Sequence, residues 1–514
     1  MNGGEALIRG LVASGVKACF ANPGTSEMHM VQAIDAVPEM RAVLCLFEGV
    51  CTGAADGYGR MREQPACTLL HLGAGLGNGI ANLHNARRAA TPLVNIIGEH
   101  AIHHVPFDAP LTSDIAAIAK GVSGWIRTAR TAEALAGDGV QAVQAAMAAN
   151  PDPVGGVSTL IVPADCAWGQ GNAVEIAEVS RARLPVSDAA VTRAAAALTD
   201  DAVLIVDGNG LLEDGLAAVG RIAARSGVRI FSPTFPARVE SGPGLYPINR
   251  MPYFPEQIIE TLRGTRRLIL AGGEAPVSFF KYRNIPSDLV PEGCEVVRLA
   301  HRHEDVSAAL HALADAIGAP VAGKAVERAR PAPPAGRLNT MAVANGLAAS
   351  AQDDCIVCTD SGGGGAAYAV MQRAVRHSWM NLTGGSIGQG GPLAVGAAVA
   401  CPGRRVYALL GDGGAGYTIQ YLWTAARENL PITTVIYNNS VYGILQTEYQ
   451  RIGVNDPGDK ALSLFDLSRP SIDWVSLAKG YGVPGQRVTT GEELMAALAA
   501  AEAVNGPYLI EAMV

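Results

Sequence analysis

The sequence predicts an α/β protein made of three doubly wound parallel-sheet domains. Three observations point there. Short apolar runs alternate with helical stretches along all 514 residues. Many of the 60 glycines sit at the ends of those runs, where a strand turns into a helix, so their abundance signals turns and not disorder. One stretch rich in proline and charge, Arg328-Ala-Arg-Pro-Ala-Pro-Pro-Ala-Gly-Arg337, interrupts the alternation as a linker would.

The elements follow in order. Residues 1–180 repeat strand, glycine turn and helix: Val16–Ala21 then Thr25–Ala36, Ala42–Leu46 then Glu48–Met61, Ala66–His71 then Leu76–Arg88, and the strand Leu93–Ile97. Residues 186–322 carry strands at Ala202–Val206, Val228–Phe231, Arg267–Leu270 and Glu295–Leu299. After the linker at 323–337, residues 338–514 carry strands at Cys355–Thr359, Arg405–Leu410, Ile432–Tyr437 and Tyr508–Glu511, with a helix at Tyr417–Glu428. Apart from the linker there is no low-complexity tract, and no short repeat.

Gly411-Asp412-Gly413 and Asn438-Asn439 carry the most chemistry. They end two successive strands of a βαβ unit, and open α/β sheets bind ligands at the carboxyl ends of their strands. A carboxylate, an amide oxygen and a helix amino terminus suit a Mg²⁺ ion carrying a diphosphate. Gly411 to Gly416 also fit the dinucleotide pattern GxGxxG, the basis of a rival reading as an oxidoreductase. That pattern calls for an acid at the end of the second strand, where this chain has amides, and Asp412 would repel a pyrophosphate without a cation between them.

Further motifs stand in register with this pair. They are Asn22-Pro23-Gly24-Thr25-Ser26-Glu27, then Phe47-Glu48-Gly49 with Ala54-Ala55-Asp56-Gly57-Tyr58, then Leu70-His71-Leu72-Gly73-Ala74-Gly75-Leu76-Gly77-Asn78. Together they resemble the thiamine-diphosphate (ThDP) enzymes over the whole chain. The first turn is similar to that of benzoylformate decarboxylase, and Asp108-Ala-Pro-Leu-Thr-Ser-Asp114 is similar to acetolactate synthase large-subunit-like chains. The resemblance implies pyrimidine-binding, central and diphosphate-binding domains in that order.

It also implies roles. Asp412, the Asn439 side chain and the Val441 carbonyl would hold Mg²⁺, with Tyr442 beside the cofactor. Gly413, Gly414 and Ser361-Gly362-Gly363 would offer backbone N–H groups to the phosphates, although Gly362 to Gly365 also fit a flexible loop. Glu48 would share a proton with the pyrimidine ring, or else only neutralise a helix amino terminus. Ile387 would hold the two cofactor rings in a bent arrangement, with the Gly385 carbonyl accepting from the pyrimidine amino group; a core isoleucine is the plain alternative. His71 matches an acid/base histidine of benzoylformate decarboxylase, and Thr25 stands where that enzyme has serine. Lys281 stands where it has a second histidine; a lysine there could hold a substrate carboxylate or lie on the surface. His100, His103 and His104 follow a strand end into the same crevice, as channel residues, metal ligands or a solvated loop.

Composition limits the alternatives. The net charge of −8 is mild and no basic cluster suggests nucleic acid. No secretion signal or membrane-length apolar run is visible, and nine cysteines, mostly in apolar stretches, suit buried thiols in a reducing cytoplasm. Cys355-Ile-Val-Cys358 spells CxxC but lies in a strand with no second pair. The expectation is a ThDP- and Mg²⁺-dependent enzyme. It would remove CO₂ from a small 2-oxo acid, then release an aldehyde or join the fragment to a second carbonyl compound as a 2-hydroxy ketone. No FAD is expected, since the central block shows no dinucleotide fingerprint. Family architecture implies a homodimer or homotetramer with sites across the interface. A non-catalytic ThDP-binding regulator is disfavoured by Glu48, His71 and Asp412 together.

Overall fold

The structure is a computed structural model that describes residues 1–148 and 156–514. Its strands form three sheets. The first runs Arg41–Leu44, Ala18–Asn22, Ala66–Leu70, Leu93–Glu99, Val157–Pro163 and Trp125–Thr128, all parallel. The second runs Asn249–Arg250, Arg229–Ser232, Ala202–Val206, Arg267–Ala271 and Glu295–Ala300, also parallel. The third runs Gly485–Val488, Tyr508–Met513, Ile432–Asn438, Val406–Gly411, Cys355–Thr359 and His377–Met380, and ends on Arg238–Ser241. That last strand pairs antiparallel and comes from the middle of the chain.

Each strand expected from an apolar run is present, its ends shifted by a residue or two. The strands that escaped that reading lack such a run. Trp125–Thr128, Arg238–Ser241, Asn249–Arg250 and Gly485–Val488 are short edge strands carrying arginine or other polar side chains. In Val157–Pro163 the buried pair Ser158 and Thr159 interrupts the apolar pattern.

The expected helix Tyr417–Glu428 is corrected. The chain after Gly411 makes a single turn, Asp412–Ala415, and the helix proper is only Tyr421–Arg427. Glycines 413, 414 and 416 weaken a helix there, and Thr418 Oγ1 donates to the Gly388 carbonyl instead of continuing the turn. The helix expected over Thr25–Ala36 likewise begins as a 3₁₀ turn, Thr25–Glu27, before Met28–Asp35.

The first and third sheets meet through two helices, Glu48–Arg62 and Gly390–Ala400, both almost wholly buried. Small residues let the backbones touch. A Cβ on Gly57 would lie 2.1 Å from the Leu393 carbonyl oxygen, and one on Gly396 would lie 1.8 Å from that of Ala54. Asp56 and Arg60 sit in this interface, their side chains 0% and 2% exposed and 2.6 Å apart. Asp56 also accepts from Thr91 and Gln389. Arg60 donates to Ala237, Asn381 and Thr383, so one guanidinium joins all three parts of the chain. Losing either member would strand a buried charge, at a cost of about 3–5 kcal/mol.

Candidate active site

The strands Val406–Gly411 and Ile432–Asn438 are neighbours, with Gly411 opposite Tyr437. That register sets Asp412 beside Asn438 and Asn439. Asp412 is buried; its Oδ1 accepts from the Gly413 N–H at 2.8 Å and its Oδ2 from the Ser440 N–H at 2.7 Å. Burial pushes its carboxyl pKa up, while the N–H groups of Gly413, Ser440 and Asn439 oppose the shift. The two asparagines divide. Asn438 is buried and donates to Glu511 at 2.7 Å, and so belongs to the sheet. Asn439 is exposed, and its Oδ1 meets only the Val441 N–H at 3.1 Å, so it is the amide left to bind a cation.

Around this turn the fit is close. A Cβ on Gly413 would fall 2.1 Å from the Tyr442 ring, so a side chain there would have to displace that ring. The segment Ser361 to Gly365 is a turn opening the helix Gly364–Ala374, not an unstructured loop. Within it the Ser361 N–H is taken by Thr359 and the Gly363 N–H by Ser361 Oγ. A Cβ on Gly362 would meet nothing within 4 Å, so Gly362 is the glycine here that faces open space. Hard oxygen donors, a glycine cradle and an open face fit a metal-bound diphosphate.

The segment Gly384 to Gly388 is held from the first block. His84 meets the Gly384 carbonyl at 3.1 Å, and Asn85 bonds both the carbonyl and the N–H of Ser386. Gly385 and Gly388 have φ of 78° and 90°, in the region that favours glycine. Ile387 is half-buried and stands outside the apolar core clusters.

Glu48 is buried at the first position of its helix, after the extended Phe47. Its Oε2 accepts from Asn78 at 3.0 Å, and Oε1 faces Gly75. Among the described residues no hydrogen bond joins Glu48 to Asp412, Asn439 or Val441 within the chain.

His71 caps the helix Leu72–Ala89. Its Nδ1 lies 2.8 Å from Glu27 Oε2 and 3.2 Å from Ser26 Oγ. Glu27 is buried and also accepts from the Gly24 N–H and the Ser26 hydroxyl. An Nδ1–H donated to Glu27 leaves Nε2 as the outward nitrogen. Thr25 is exposed and makes no such contact; Ser26 is the hydroxyl against the histidine. Glu27 was not singled out from the sequence; its bond back to the Gly24 N–H is the acid half of a capping box.

Lys281 is exposed and donates to the Ile285 carbonyl. Phe279, two residues earlier, reaches the Gly384 to Gly388 segment instead: its Cζ lies 3.0 Å from a Cβ placed on Gly385. It belongs to an aromatic group with Phe235, Tyr253 and Phe280, ring centroids 5.0–6.0 Å from its own. Nothing in the sequence pattern marked this group. His103 lies 3.7 Å from Asp165, and His104 packs on His100 and Phe107. The described residues contain no cluster of three or more metal-ligating side chains. Cys355 and Cys358 are buried free thiols.

The comparisons with known proteins agree with this geometry. The thiamine pyrophosphate enzyme N-terminal TPP binding domain matches residues 1–118, and the C-terminal TPP binding domain matches residues 340–512. The chain belongs to the thiamine-diphosphate enzymes. It is 47% identical over 520 residues, 100% of this chain and 99% of the relative, to a Mycobacterium tuberculosis protein provisionally named acetolactate synthase large subunit IlvX. It is 30% identical to the benzoylformate decarboxylase of Pseudomonas aeruginosa, over 97% of this chain and 96% of that one. The solved 4-hydroxybenzoylformate decarboxylase of Rhodococcus jostii shares the fold, with a TM-score of 0.84 at 24% identity over 100% of this chain and 99% of that one. The protein is thus a ThDP-dependent enzyme of the acetolactate synthase and decarboxylase type. No helix among the described residues is long and apolar enough to cross a membrane.

Proposed function

We propose that the protein is a ThDP- and Mg²⁺-dependent enzyme that decarboxylates a 2-oxo acid, with carboligation to a 2-hydroxy ketone or release of an aldehyde. The observation that carries this is the pairing of buried Asp412 with exposed Asn439 at the ends of adjacent strands, beside a glycine turn packed against the Tyr442 ring. When bound, ThDP supplies the nucleophilic ring carbon and the electron sink for loss of CO₂. Asp412, Asn439 and the Val441 carbonyl would hold the metal, and Gly362 would present its open face to the phosphates. Glu48, buried at its helix start, would exchange a proton with the pyrimidine ring. The Gly385 carbonyl would accept from the amino group, and Ile387 would support the bent arrangement. His71, steadied by Glu27, holds or gives a proton at Nε2.

A second reading, decarboxylation of an aromatic 2-oxo acid with aldehyde release, is favoured by the aromatic group that Phe279 brings against Gly385. The benzoylformate decarboxylase relative points the same way. Purified protein with ThDP and Mg²⁺ should release CO₂ from at least one 2-oxo acid in a screen that includes pyruvate and benzoylformate. NMR of the products then separates aldehyde from 2-hydroxy ketone. Binding of NADH with no response to ThDP would overturn the assignment.

A further inference from the structure

Asp360 ends the strand Cys355–Thr359 and is wedged between two cofactor segments. Its Oδ2 accepts the N–H groups of Gly388 and Gly390, each at 3.0 Å, and so ties the Gly384 to Gly388 segment in place. Its Oδ1 is buried and has no donor among the described residues. The carboxylate packs against the turn at Gly414, with Oδ1 3.3 Å and Oδ2 3.5 Å from a Cβ placed there. A buried carboxylate oxygen without a donor is costly, and native structures rarely keep one without a use.

We propose that Asp360 takes up a proton as the diphosphate enters the crevice and thereafter serves the site as a neutral carboxylic acid. The proton comes from solvent, and no other bond changes. The inference rests on the assignment of this crevice to ThDP.

The surroundings favour the neutral form. Burial pushes the Asp360 carboxyl up to about 6, against the pull of the Gly390 and Gly388 N–H groups. From the Gly388 to Gly390 segment it faces no charge; Gln389 is turned to Asp56. The helix Tyr421–Arg427 presents the buried phenol of Tyr421, and the turn at Gly414 carries Asp412, whose carboxylate is turned to other N–H groups. No cation is paired with it among the described residues. Diphosphate charge that Mg²⁺ does not balance disfavours its ionised form further, and from about 6 a push of roughly a hundredfold leaves it about nine-tenths neutral at pH 7.

The test is calorimetric titration of wild type and Asp360→Asn with ThDP and Mg²⁺, at pH 7, in buffers of different ionisation heat. The amide keeps an acceptor for the two N–H groups and stands in for the neutral acid. Wild type should absorb roughly one proton more than the variant. Protons exchanged by the ligand or by Asp412 cancel in that difference. From pH 7 to 8 the wild-type affinity should fall by up to about tenfold relative to the variant. An equal proton count overturns the proposal. So does a variant that melts like wild type yet loses ThDP, since the charge itself would then be needed. If the variant does not fold, Asp360→Ser takes its place as the reference, and an equal proton count again overturns the proposal. No ThDP binding by wild type at any pH overturns the crevice assignment, and this proposal with it.

Discussion

Asp412, Glu48 and His71 make separable demands at the scale of single residues. Asp412→Ala should abolish ThDP retention in Mg²⁺ buffer while the far-UV circular dichroism stays unchanged, because the diphosphate loses its metal bridge. Unchanged ThDP affinity would show that the metal is held elsewhere. Glu48→Gln keeps shape and cofactor but loses the carboxyl proton, so turnover should fall by at least about 10²-fold. Hydrogen–deuterium exchange at the reactive thiazolium carbon should slow with it; unaltered exchange would leave Glu48 a helix-capping residue. Glu27→Gln tests the support of His71. The pH–rate profile should shift, while His71→Ala should lower decarboxylation by about 10²–10⁴-fold. A profile identical to wild type would mean that Glu27 only holds the turn. The positions of Asp412, Asn439 and Glu48 were legible because each follows an apolar run. Glu27, Asp360 and Phe279 were not: their partners lie 44 or more residues away in sequence or are backbone N–H groups, which no local pattern reveals.

Buried titratable groups on individual elements set the pH response of stability. His377 lies in the strand His377–Met380, where Nδ1 bonds the Val375 carbonyl at 2.9 Å and Nε2 has no partner. Burial lowers its pKa from 6.5 to about 4. The unfolded chain therefore binds more protons between those values, and stability is lost as pH falls from 6.5 toward 4, by about 2 kcal/mol at pH 5. Asp360 acts oppositely: with its pKa raised from 3.8 to about 6, the native state holds the extra proton, and stability falls as pH rises through that window. Denaturant unfolding between pH 4 and 8 should show a shallower acid limb in His377→Leu than in wild type. An identical limb would mean that the histidine takes up its proton equally in the folded and unfolded states. His377–Met380 was itself missed in the sequence, because its four residues are flanked by charge and carry a histidine.

At the scale of the whole molecule, the lack of any hydrogen bond from Glu48 to Asp412, Asn439 or Val441 among the described residues leaves room for a site shared between two copies. Glu48→Gln and Asp412→Ala chains, each inactive alone, should regain activity when mixed and allowed to exchange. A heterodimer restores one intact site of two, so an equal mixture should reach about a quarter of wild-type turnover. No recovery, with exchange verified by sedimentation, would put the site inside a single chain. The three parallel sheets were readable from alternating apolar runs. Their connections were not, since a four-residue strand lent by one block to another leaves no composition signal.

That loan, Arg238–Ser241 on the edge of the third sheet, bears on how such chains can be recombined. A graft of the central region from a relative, cut at the proline-rich linker, would carry away a piece of its neighbour's edge. The recipient would expose the backbone of His377–Met380 and lose the Ser378 bonds to Glu240. Chimaeras that keep residues 238–241 with the third sheet's native partner should be soluble, and those that exchange them should aggregate by edge pairing.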